Sequence, residues 1–158
     1  INHIVINQNG LFVIETKNYN GLIMGTENSE YWTQVVGGQK EYFYNPIRQN
    51  DNRIKELQHY LRGALEDIPV HSVIVFGKYS ELKLDKPIKK AKVIKSFKLS
   101  WILQQESKKV FVLYKDRQFI KDLLFYSDVE NSTRRRKKQI HRITDINQYR
   151  SRNKKSTM

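Results

Sequence analysis

The chain has 158 residues, 39% hydrophobic and 11% aromatic, which is enough apolar material for one domain's core and excludes a wholly disordered chain. It contains no cysteine, so disulfide scaffolds, cysteine zinc sites and thiol nucleophiles are excluded; its four histidines, His3, His59, His71 and His141, form no HExxH or close pair, which argues against a histidine zinc site. Net charge is +13, and residues 134–158 hold ten Lys/Arg against one acid, Asp145.

That imbalance predicts a globular part over 1–130 and a basic tail over 131–158. Such a pairing points to a polyanionic partner, nucleic acid first and an anionic membrane surface second. Arg134, Arg135, Arg136, Lys137 and Lys138 are the expected phosphate contacts, which would supply salt-sensitive, sequence-independent affinity. No apolar run approaches the ~18 residues of a transmembrane segment. No signal peptide is visible, so the expected location is cytoplasmic. The chain opens without Met on strand-like sequence, and an upstream piece is expected.

In chain order, residues 2–7 and 11–17 read as two strands around Asn9-Gly10, the strongest short hairpin signal. Both are apolar on both faces, so both are expected to be central and covered. Asn18–Gly21 is a turn. Short strands follow near Leu22–Gly25 and Tyr31–Val35, and Gly37-Gly38 turns the chain into Glu41–Tyr44. Trp32 and Tyr31 read as packing residues rather than a base-stacking platform. Asn45-Pro46 opens a helix, with Asn as N-cap and Pro at the first helical position. Ile47, Ile54, Leu57, Leu61, Ala64 and Leu65 continue it to about Glu66. Ser72–Phe76 is a buried strand, 78–92 a lysine-rich surface loop, and Lys92–Lys95 a short strand. Helices are expected at Leu99–Gln105 and Asp116–Phe125, with a strand over Val110–Tyr114 between them.

The segment that carries chemistry is Ile14-Glu15-Thr16-Lys17. Positions i and i+2 of a strand project from one face about 6.5–7 Å apart, so a carboxylate and an ammonium can share a site. If Asn9-Gly10 is the two-residue loop, Asn2 lies opposite Lys17; a four-residue loop pairs Asn2 with Glu15. Either register gathers Asn2, Glu15 and Lys17 at one end of an otherwise apolar sheet, and a one-residue slip would break the grouping.

Ile1–Ile6, Gly10-Leu-Phe-Val-Ile-Glu-Thr-Lys-Asn-Tyr-Asn-Gly21, Tyr31-Trp32-Thr33 and Asn45-Pro-Ile-Arg-Gln-Asn50 resemble the nuclease-related domain (NERD) family. That family is a branch of the PD-(D/E)XK, restriction-endonuclease-like nucleases. The resemblance implies a mixed α/β fold, with a central sheet flanked by helices, and a metal-dependent DNA endonuclease that hydrolyses phosphodiester bonds. It implies Mg²⁺ or Mn²⁺ as cofactor, Glu15 as metal ligand, Lys17 as catalytic lysine and the Thr16 backbone carbonyl in the metal shell. Gln49 would stand beside the site at the helix start, although by helical periodicity Asn50 falls nearer the apolar face. A homodimer is possible, since nucleases of this class often cut both strands as a pair.

Two departures matter. The family usually has Asp where this chain has Asn2, which removes a unit of negative charge from the metal site. The family's upstream helix with its glutamate also has no counterpart here. The alternative function is therefore an inactive nucleic-acid-binding module that works through its basic tail.

Overall fold

Strand β2 (Gly10–Lys17) organises the molecule, because six of its eight residues are buried and it pairs on both sides. The computed structural model describes residues 2–61, 67–105 and 112–124. On one side of β2 lies β1 (Asn2–Asn7), antiparallel; on the other lies β6 (Val70–Phe76), parallel, followed by parallel β8 (Lys92–Lys95). A second mixed sheet has the order β5-β4-β3-β7, built from β3 (Gly21–Gly25), β4 (Tyr31–Val36), β5 (Gln39–Tyr44) and β7 (Ser80–Leu84). Helix α1 (Pro46–Tyr60) links β5 to β6, and α2 (Leu99–Gln104) follows a 3-10 turn after β8. The mixed α/β class is as expected, but the strands form two sheets instead of one.

The chain divides into compact units Ile1–Gln118 and Phe119–Met158. In the second, only the end of a helix over 114–124, α3, lies among the described residues. The basic tail, with Arg134–Lys138, lies outside them, as do residues 62–66 at the expected end of α1. No helix among the described residues is long and apolar enough to cross a membrane.

The first sheet buries both faces. Phe12, Ile14, Val73, Val75, Ile94 and Ile102 pack on the α2 side. Ile74 and Phe76, the alternate residues of β6, join Ile23, Trp32, Ile47 and Ala91 between α1 and the second sheet. Alternation along a strand separates the two cores, so β6 needs apolar residues at every position.

Several expectations are corrected. β1 is an edge strand, not a covered one, with His3 and Ile4 exposed, because β2's second neighbour is β6 and β1 has none. The first hairpin turns at Gln8-Asn9, since Asn7 pairs with Gly10. Gly10 is required by a different contact: a Cβ there would collide with the Pro69 carbonyl, which accepts from Leu11 N–H at 2.9 Å. By contrast, Gly37 and Gly38, at φ +56° and +81°, form the expected two-residue hairpin turn. The lysine-rich stretch 78–92 is not all loop. β7 lies in it, with Leu82 and Leu84 packed inward and Glu81 and Lys83 exposed. Of the expected strand 110–114, Val112 and Leu113 form no strand and Tyr114 begins α3; 110 and 111 lie outside the described residues. Trp32 is fully buried, whereas Tyr31 is half exposed.

The start of α1 is hung from the second sheet. Asn45 is buried; its Oδ1 accepts from Ile47 N–H, and its Nδ2 faces the carbonyls of Thr26, Glu27 and Ser29. In the same loop, the Glu27 carboxylate accepts from Lys90 and Lys89 N–H, which holds it below the ordinary glutamate range. Asn45→Ala removes both the cap and the clasp, and is expected to cost about 2 kcal/mol, read as a shift in the urea midpoint. Asn45→Asp keeps the cap acceptor but not the donors and should fall between; equal loss in both variants would mean that the cap contributes nothing.

Candidate functional site

Glu15 lies on the α1 face of β2, two residues from the strand's end, and is 3% exposed. Lys17 shares that face, while Thr16 between them is exposed on the other. The Lys17 ammonium sits 2.9 Å from Glu15 Oε1 and donates to Gln49 Oε1 at 2.9 Å. Arg53 Nη1 meets Glu15 Oε2 at 2.5 Å. Each carboxylate oxygen therefore has its own cation, which offsets the cost of burying the charge.

Matched spacing produces this arrangement. Gln49 and Arg53 are four residues apart on α1, a rise of about 6 Å. Glu15 and Lys17 are two apart on β2, a rise of about 6.6 Å. The helix meets Lys17 with its first turn and Glu15 with its second, so it runs antiparallel to the strand above it. Asn50, fully buried, fixes the helix in place: its Nδ2 donates to the Val13 carbonyl and to Ser72 Oγ, both at 2.9 Å. Gln49, half-buried, is left to reach Lys17.

Glu15, Lys17 and Gln49 lie together, Gln49 at the place that the resemblance implied for it, and Asn2 is the register partner of Glu15. That is the register expected of a four-residue loop, not the one opposite Lys17, but it comes from a two-residue turn shifted to Gln8-Asn9. Arg53 was missed. It stands four residues after Gln49, as Lys17 stands two after Glu15, a match that means something only once α1 is known to run antiparallel over β2. His71 is a packing residue, stacked on Phe12 with ring centroids 4.5 Å apart and Nε2 2.9 Å from the Asn9 carbonyl.

The donors do not fit a resident divalent ion. Glu15 is the cluster's one carboxylate, both its oxygens face cations, and no group of three His, Asp or Glu side chains gathers among the described residues. A hard ion needs several oxygen donors with enough negative charge to replace its water. With two cations on one carboxylate, the cluster carries a net positive charge and suits an anion better.

A family model described as nuclease-related domain matches residues 1–77. An uncharacterized protein of Bacillus anthracis is 40% identical over 83 residues, which cover 52% of this chain and 38% of that protein. This chain therefore spans well under half of that relative's length. No solved structure matches.

Proposed function

Since residues 1–77 belong to the nuclease-related domain family, we propose that the domain engages the DNA backbone at the Glu15–Lys17–Gln49 cluster and hydrolyses its phosphodiester bonds. The observation that carries this reading is the Lys17 ammonium, held between Glu15 Oε1 and Gln49 Oε1 at 2.9 Å from each. An ammonium fixed in this way is already oriented before substrate arrives, so it can stabilise charge that develops on a phosphate oxygen without reorganising. Glu15 holds Lys17 in place, and Gln49 sets its direction from the helix side. The tail residues Arg134, Arg135, Arg136, Lys137 and Lys138 add backbone affinity in this proposal.

Asn2 is the weak position. By strand register it is paired with Glu15, and an amide brings no charge, so Asn2→Asp adds a carboxylate at the register position opposite Glu15. With Mg²⁺ or Mn²⁺ present, Asn2→Asp is expected to cleave supercoiled plasmid about tenfold faster than the chain as it stands. Lys17→Ala serves as the blank and EDTA as the ion-free control. Equal rates for the Asn2→Asp protein and the Lys17→Ala blank would overturn the assignment.

A further inference from the structure

We propose that Arg53, rather than a divalent ion, is the resident counter-charge of Glu15, and that with Lys17 it forms a clamp that grips one phosphodiester without metal. This inference rests on the reading of the cluster as a backbone-facing site, but it concerns binding and not hydrolysis.

Burial is graded across the cluster. Glu15 lies at the bottom at 3% exposure, Lys17 above it at 16% and Arg53 at the mouth at 38%. An approaching anion meets the two cations before the carboxylate. One phosphodiester carries the single negative charge that would neutralise the cluster. The Arg53 fork has five N–H donors, and among the described contacts only Nη1 is used, on Glu15. A guanidinium can therefore keep its carboxylate and still offer a donor pair to phosphate, a geometry that Arg matches better than Lys.

Glu15 Oε2 cannot serve Arg53 and an ion fully at once. Arg53 is tethered at the right height by the helix, so it has no translational freedom to lose, while an ion must come from solution and shed water. The resting site is thus an anion site. In the unaltered chain its carboxylate positions two cations and does not serve as a metal ligand.

The test uses the whole chain and a fluorescein-labelled 20-base-pair DNA duplex in EDTA, titrated from low to moderate salt. The unaltered protein should bind without divalent ion. Arg53→Gln should weaken binding several-fold and flatten the plot of log affinity against log salt by about one unit, the signature of one lost phosphate contact. Arg53→Lys, which keeps the charge, should retain most of the slope and control for folding.

Calorimetric titration with Mn²⁺ supplies the second readout. Arg53→Gln should acquire a binding event that Glu15→Gln/Arg53→Gln loses, and the unaltered chain should show none there. An unchanged salt slope in Arg53→Gln, or Mn²⁺ uptake at Glu15 by the unaltered chain, would overturn the proposal. Because both readouts are binding in the absence of turnover, failure of the hydrolysis reading leaves them interpretable.

Discussion

Lys17→Ala, made in the Asn2→Asp background where turnover is expected to be fastest, should slow plasmid cleavage by about 10²–10³-fold, the usual cost of removing one preorganised donor to a developing oxyanion. The fold should survive the change. Glu15 keeps Arg53 on Oε2, so its buried charge is not abandoned, and Lys17 lies at the end of β2 outside both apolar clusters. Circular dichroism melts of the two proteins should nearly coincide. Lys17→Arg makes a second comparison: it restores charge but not the compact ammonium that fits between Glu15 and Gln49. It should recover DNA affinity more than rate. Undiminished cleavage by the alanine variant would remove Lys17 from the chemistry.

The largest effect on stability should come from Trp32→Ala, expected at about 3–5 kcal/mol. Trp32 is fully buried, stacks parallel to Phe76 at 6.1 Å and meets Phe43 edge-on at 6.3 Å. Its indole N–H donates to the Thr26 carbonyl at 2.9 Å, inside the loop that Asn45 grips. The ring thus joins the second sheet to β6 and to Ile47 of α1. A loss of that size is a large part of the stability of a domain this small. Urea denaturation followed by far-ultraviolet circular dichroism measures it; tryptophan fluorescence is unsuitable because Trp32 itself is removed and the exposed Trp101 reports elsewhere. Trp32→Phe keeps most of the packing and should lose about half as much. A midpoint shift below 1 kcal/mol for Trp32→Ala would mean that the two sheets are held together by other contacts.

The parts of this molecule that were legible are those set by short-range rules. Glu15 and Lys17 share a face because strands alternate. Asn45-Pro46 starts a helix because the amide caps and the ring is preset. What was not legible depends on long-range pairing. The apolar run Ile4-Val5-Ile6 is compatible with a covered strand or an edge, and only the arrival of β6 beside β2 decides. β7 was hidden because Lys83 and Glu81 dominate its composition, while the Leu82–Leu84 alternation needed β3 as a partner to become a strand. Arg53 was invisible for a similar reason. Nothing local says that α1 runs antiparallel over β2, and without that direction the four-residue step from Gln49 to Arg53 cannot be matched to the two-residue step from Lys17 back to Glu15.

Asn45's grip on the loop at 26–29 gives the cluster a wider ancestry than its own residues. Gln49 and Arg53 stand at heights inherited from β3 and β4, strands that contribute no side chain to the cluster. Sequence drift in those strands can therefore retune the grip on a phosphate while Glu15, Lys17, Gln49 and Arg53 stay the same. By the same logic, transplanting 15–17 and 49–53 onto a foreign scaffold would carry the chemistry without its calibration.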